Sequence, residues 1–158
     1  MVSRDQVRQK EQVFNPDLII SISEPKQSPP SFKTKEVLLL NFKDICFDSK
    51  LDPNPFAPKE EHILQIIDFA NKAKNQKVLI HCYAGISRSS AAAIILAREV
   101  CGNDEEALRQ ISSLNVEISP EIFESGNTWF MPNNLMISLY DKIKGTNLSD
   151  LLGTFFSY

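Results

Sequence analysis

Cysteine and histidine are scarce, three and two in 158 residues. Cys46, Cys82 and Cys101 are odd in number and irregularly spaced, with no CxxC pair. This argues against a disulfide framework and a zinc site, and for a reducing compartment. Long apolar runs are missing too. ILQIIDFA and AAAIILA are flanked by charge and fall far short of the roughly 20 residues a membrane-crossing helix needs. The opening MVSRDQVRQKEQ lacks the apolar core of a secretory signal. Nor is positive charge in excess. A formal net charge of −3 and a pI near 5.4 disfavour nucleic-acid and anionic-membrane partners. The expectation is a cytoplasmic protein with neither kind of partner.

What remains is an ordinary globular composition, 42% apolar and 23% charged. The length fits one domain over residues 1–158, without internal repeats. DLIISIS (17–23), VLLLNF (37–42) and VLI (78–80) leading into His81-Cys82 are short, near-continuous apolar runs. Runs of that kind predict buried parallel strands sandwiched by helices on both faces. EEHILQIIDFANKAK (60–74) places Ile63, Ile66, Ile67, Ala70 and Ala73 on one helical face. A second helix is expected from about Ser89 to Cys101, stopped by Gly102. Asn103 and Glu106 open a third, DEEALRQISSL. VEISPEIFESGNTWFMP (116–132) reads as irregular, with Trp129 and Phe130 packing beneath a loop. NNLMISLYDKIKG forms a last amphipathic helix, with Asn133 and Asn134 as caps, and FFSY ends the chain. The sum is an α/β fold with a central, mostly parallel sheet.

The chemistry concentrates in HCYAGISRS (81–89). A strand that turns straight into a helix N-terminus aims backbone N–H groups and the positive end of a dipole at one spot. None of Tyr83, Ala84, Gly85, Ile86, Ser87 or Arg88 is proline, so each keeps its donor. Gly85 can take the positive φ that wrapping an anion usually needs. Successive N–H groups of this kind form an anion nest. Arg88 adds a planar fork matched to two phosphate oxygens. Cys82, at the floor, lies where dipoles and guanidinium favour the thiolate, the nucleophilic form. Such a sulfur attacks a bound phosphoryl group in line, and the loop donors stabilise the transition state.

HCYAGISRS resembles the signature loop of the cysteine-dependent protein tyrosine phosphatases: His-Cys, five residues, Arg, then Ser or Thr. The compact form is similar to the dual-specificity branch, and specifically to small bacterial tyrosine phosphatases. In those an apolar strand ending in Asp-Ile precedes the signature, here NFKDI, and a Pro-Asn pair opens the last helix, here Pro132-Asn133. The likeness covers about residues 14 to 144, taken as the core of a phosphotyrosine-phosphatase-like domain. It implies that Cys82 becomes a phosphocysteine and that Arg88 binds the phosphoryl group. Ser89 would ease departure of the sulfur, and His81 would brace the loop. Residues 83 to 88 would line the substrate site. No cofactor or metal is implied. The substrate would be a phosphorylated protein, on tyrosine and also on serine or threonine, or another phosphomonoester.

A proton must reach the leaving oxygen, and a carboxyl group is its usual source. Asp44 follows directly on VLLLNF, whose end belongs on the same sheet edge as the end of VLIHC. Asp48 and Asp52, deeper in the loop, stay open as alternatives. A papain-like dyad is disfavoured, because neighbours at a strand end point to opposite faces, separating His81 from Cys82. His62 reads as a helix-surface residue. Cys46 and Cys101 read as structural thiols. YAGIS carries no base before Arg88, which disfavours phosphoinositide and RNA substrates. A phospho-binding module that no longer turns over is the rival function, although it would not need the nucleophile.

Overall fold

The structure, a computed structural model, describes residues 1–47, 53–118 and 130–156. Its sheet has four parallel strands in the order β1 (Val2–Ser3), β4 (Val78–Cys82), β2 (Leu18–Ser23), β3 (Glu36–Asn41). In the central strand β2, with all six residues buried, Ile20 lies against Leu38 of β3 and Ile80 of β4. Parallel register brings the carboxyl ends of β2, β3 and β4 to one edge. Phe42, just beyond β3, donates its N–H to Ser23 O at 3.1 Å and holds the edge together.

One face of the sheet carries the main core. Leu18, Ile20, Ile22, Leu40 and Ile80 pack there against five helices. These are α2 (Glu60–Ala73), α3 (Arg88–Cys101), α4 (Asp104–Ile118), α5 (Asn134–Lys144) and α6 (Leu148–Phe155). Helix α3 is buried continuously from Arg88 to Leu96, as a central helix with apolar residues all round must be. It ends where Gly102 turns left-handed, φ 74°, and gives its N–H to Arg98 O at 2.8 Å. No helix among the described residues is long and apolar enough to cross a membrane.

Helices flank both faces, as expected, but the opposite face has the thinner cover. One short helix, α1 (Val7–Phe14), and the irregular crossover 24–35 cover it. Parallel strands are usually joined through a helix. Pro25, Pro29 and Pro30 rule out a regular one in this crossover, since each lacks an N–H. The crossover is riveted down from α1 and the residues before it. Arg4 donates to Gln27 Oε1 at 3.0 Å and Ser28 O at 2.9 Å, and Arg8 to Ser31 Oγ at 3.2 Å. The buried Glu11 accepts from Lys33 N, Thr34 N and Thr34 Oγ1, each at 2.8 Å. Phe32 then packs with Val7, Ile19 and Leu79.

Three boundaries differ from the pattern reading. Helix α1 went unread because Val7 is its only inward apolar residue, its partner one turn on being Glu11. Helix α4 runs past Leu114 to Ile118, since nothing before Pro120 stops it. The tail forms α6, whose Leu148, Leu152 and Phe156 recur every four residues and enter the core. Asp141 caps it by accepting from Leu148 N and Ser149 N, each at 2.9 Å.

Burial alone would raise the Glu11 pKa, but the hydrogen bonds from Thr34 and Lys33 outweigh it and leave the pKa lowered. Glu11→Ala leaves two backbone donors without that carboxylate. It should cost about 2 kcal/mol in urea denaturation and open the 24–35 crossover to proteolysis.

Candidate active site

Because the strands run parallel, the residues following three of them meet at the carboxyl edge: Glu24 after β2, Asp44 after β3 and the 83–87 loop after β4. Cys82 closes β4 and is buried on the main-core face. Its Sγ lies 3.3 Å from Ser89 Oγ and accepts from Gly85 N at 3.2 Å.

The loop's carbonyls are tied from outside. Tyr83 O accepts from Arg4 N at 3.1 Å, beside β1. Ile86 O accepts from Met131 N at 3.4 Å, and Ser87 O from Asn133 N at 3.2 Å. In a trans peptide the C=O and the following N–H point opposite ways. The N–H groups of Ala84, Ser87 and Arg88 are therefore turned inward between those two flanks. No acceptor among the described residues takes them, nor the N–H of Ile86. Gly85 makes the close approach to β1 feasible. Its φ is +80°, and a Cβ there would meet Val2 C at 2.6 Å and Ser3 N at 2.7 Å.

Arg88 is 2% exposed and still charged, so it must find partners. Nη1 donates to Phe42 O at 2.8 Å, and Nη2 pairs with Glu24 Oε1 at 2.8 Å. Nε is buried without a hydrogen-bond partner among the described residues, and Asp44 Oδ2 lies 3.7 Å away. Sequence reasoning missed Glu24, although the strand-end rule that selected Asp44 applies to it equally.

Asp44 is held on its other oxygen. Oδ1 accepts from Ser87 Oγ at 2.6 Å and from Asn133 Nδ2 at 2.8 Å. Asn133 does cap α5, its Oδ1 accepting from Met136 N at 3.0 Å, but the same side chain also reaches Asp44. Ser87, at the N-cap of α3, caps nothing and spends its hydroxyl on Asp44. Asp48, Asp52 and Trp129 lie outside the described residues.

His81 and Cys82 occupy opposite faces of β4. His81 Nε2 is 2.9 Å from Ser21 Oγ, and its ring packs on Phe32, so its described bond braces β4 against β2. Burial pushes its pKa down to about 4. His62 is engaged elsewhere, with Nδ1 accepting from Lys59 N at 3.0 Å and its ring on Phe42. Cys46 Sγ sits 3.6 Å from Asn133 Nδ2.

Two measurements check this geometry. Gly85→Ala forces a Cβ into the β1 backbone at a positive φ. It should lose at least about 2 kcal/mol, against about 1 for Gly102→Ala, where nothing lies within 4 Å. For His81, the folded pKa of about 4 lies below the usual value near 6.5. Between those values the unfolded chain binds a proton that the folded chain refuses, so stability falls on acidification from pH 6.5 to 4. That loss, up to about 3 kcal/mol, should shrink in His81→Gln, as measured by denaturation across this window.

No family model matches the chain. Among curated proteins, the tyrosine-protein phosphatase yvh1 of Schizosaccharomyces pombe is 33% identical over 143 residues. The alignment takes in 75% of this chain and 43% of that protein, so the chain spans less than half the length of this relative. Among solved structures, human tyrosine phosphatase-like serine/threonine/tyrosine-interacting protein superposes with a TM-score of 0.56 at 18% identity, covering 91% of this chain and 85% of that one. Tk-PTP in the active form gives 0.54 at 18% identity, covering 95% and 88%. At such identity these two structures establish the α/β phosphatase fold. With the relative's sequence beside them, the likeness is to the cysteine-dependent protein tyrosine phosphatases.

Proposed function

We propose that the chain hydrolyses phosphoproteins, phosphotyrosine foremost and phosphoserine or phosphothreonine as well, through a phosphocysteine on Cys82. The observation that carries this reading is the buried Arg88 Nε, a cationic donor with no hydrogen-bond partner among the described residues, beside a loop of inward N–H groups. An unsatisfied buried donor costs about 1–3 kcal/mol, and a phosphoryl oxygen would satisfy it.

In the first step the Cys82 thiolate attacks phosphorus while the ester P–O bond breaks. Asp44 gives its proton to the departing oxygen. The inward N–H groups and Arg88 hold the three equatorial oxygens. In the second step water attacks the phosphocysteine, Asp44 takes a proton from it, and the S–P bond breaks. The Ser89 hydroxyl, 3.3 Å from Sγ, then donates to the departing thiolate. Neither step calls on a metal or cofactor.

The rim supports an aryl substrate. Tyr83 on the loop is 62% exposed. Phe56 and Met131 are exposed on segments bonded to Lys43 and Ile86, and Phe47 lies three residues beyond Asp44. A phospho-binding module needs none of Cys82, Ser89 or a proton donor, and their presence together favours the enzyme.

Hydrolysis of p-nitrophenyl phosphate should persist in chelator and drop to background in Cys82→Ser. Anion binding without turnover in the unaltered protein would favour the module instead. Asp44→Asn should slow a primary alkyl phosphate by about 100-fold or more, and the activated aryl ester much less. An equal, small effect on both would move the acid to Asp48 or Asp52.

A further inference from the structure

Asn133 is fully buried, and every polar atom of its side chain is used. The orientation of its amide follows from chemistry. The backbone N–H of Met136 can only donate, so the atom facing it at 3.0 Å is the carbonyl Oδ1, and the NH2 group must face the acid loop. That nitrogen donates to Asp44 Oδ1 at 2.8 Å and to Ile45 O at 3.1 Å. Asp44 Oδ1 thus lies against two hydrogen-bonding groups, Asn133 Nδ2 and, at 2.6 Å, Ser87 Oγ.

We infer that Asn133 is a positioning residue that assigns the proton of Asp44 to one oxygen, a role that rests on reading Asp44 as the general acid. A carboxyl group carries its proton on one oxygen, and the protonated oxygen is the poorer acceptor. An amide N–H fixed on Oδ1 therefore disfavours O–H there and leaves the proton on Oδ2. Oδ2 is the oxygen nearest Arg88 Nε, at 3.7 Å, on the side where the phosphoryl group would sit. Asn133 also presents its backbone N–H to Ser87 O, so one residue sets both the acid and the loop that would hold the phosphate. The link spans 89 positions of sequence.

The test separates positioning from capping. Asn133→Asp keeps an N-cap of comparable quality, still able to accept from Met136 N, but turns an oxygen towards Asp44. Two facing carboxyl groups share a proton between them, which draws it onto the wrong oxygen. Turnover of a primary alkyl phosphate should fall about tenfold or more, that of p-nitrophenyl phosphate less than about threefold, with the melting temperature nearly unchanged. The descending limb of the pH–rate profile should move to higher pH. In an Asp44→Asn background the second substitution should add no further leaving-group effect. Asn133→Ser also keeps a cap, removes the donor without adding charge, and should move the alkyl-to-aryl ratio the same way. It serves if Asn133→Asp fails to fold. Unchanged ratios in both folded variants, or losses that multiply with Asp44→Asn, overturn the inference while leaving the proposed hydrolysis intact. If Asp44→Asn itself shows no leaving-group dependence, the acid assignment and this inference fall together.

Discussion

The guanidinium of Arg88 is the knot at the carboxyl edge of this sheet. It ties the start of α3 to the residue after β2 through Glu24 and to the residue after β3 through Phe42 O. Burying a charge so completely is costly unless the geometry is good, and breaking such a pair by removing one partner typically costs about 3–5 kcal/mol. The three strand ends are therefore not free to drift apart. A group engaged on two of its nitrogens and open on the third is held by the protein and still able to bind something else. Rigidity and reactivity come from one side chain.

The two faces of the sheet divide the remaining work. Five helices bury Leu18, Ile20, Ile22 and Ile80 on one side, which supplies most of the apolar burial. The other side has a thinner cover, and polar bonds do there what area does on the first. Arg4, Arg8 and Glu11 fasten a proline-bearing crossover, and Arg4 also gives its N–H to Tyr83 O in the loop. The second face thereby reaches the site. The β1 backbone that runs against Gly85 holds the loop in shape, which is why a two-residue strand matters.

Strand ends were legible in the sequence because β-branched runs stop abruptly, and parallel pairing then places whatever follows them. That rule favoured Asp44 while leaving Asp48 and Asp52 open. The strand-to-helix turn with Gly85 and Arg88 marked Cys82 and its loop, and α2 and α3 came from their periodicity and from Gly102. Glu24 followed from the same rule but was not sought, since the Pro-Lys after it reads as an ordinary turn. Asn133 was half legible. Its capping role is local, whereas its bond to Asp44 exists only once the chain has folded, and no periodicity encodes such a contact. Helix α1 was illegible for a related reason: its inward face is Val7 and a carboxylate, and Glu11 looks like surface until the donors of Lys33 and Thr34 are brought to it.

Charge at the site raises a final point. The chain carries a net −3, and two acidic side chains, Glu24 and Asp44, flank the guanidinium. Side-chain charge alone would therefore do little to draw in a phosphate dianion. Under the proposed function the attraction would come largely from backbone dipoles, whose direction is fixed by what their carbonyls bond to on the outside. Arg4, Met131 and Asn133 hold those carbonyls, yet none of them belongs to the signature loop. The reach of this site into the fold is thus set by amide orientation, and residues far apart in sequence govern it because each restrains the plane of one peptide.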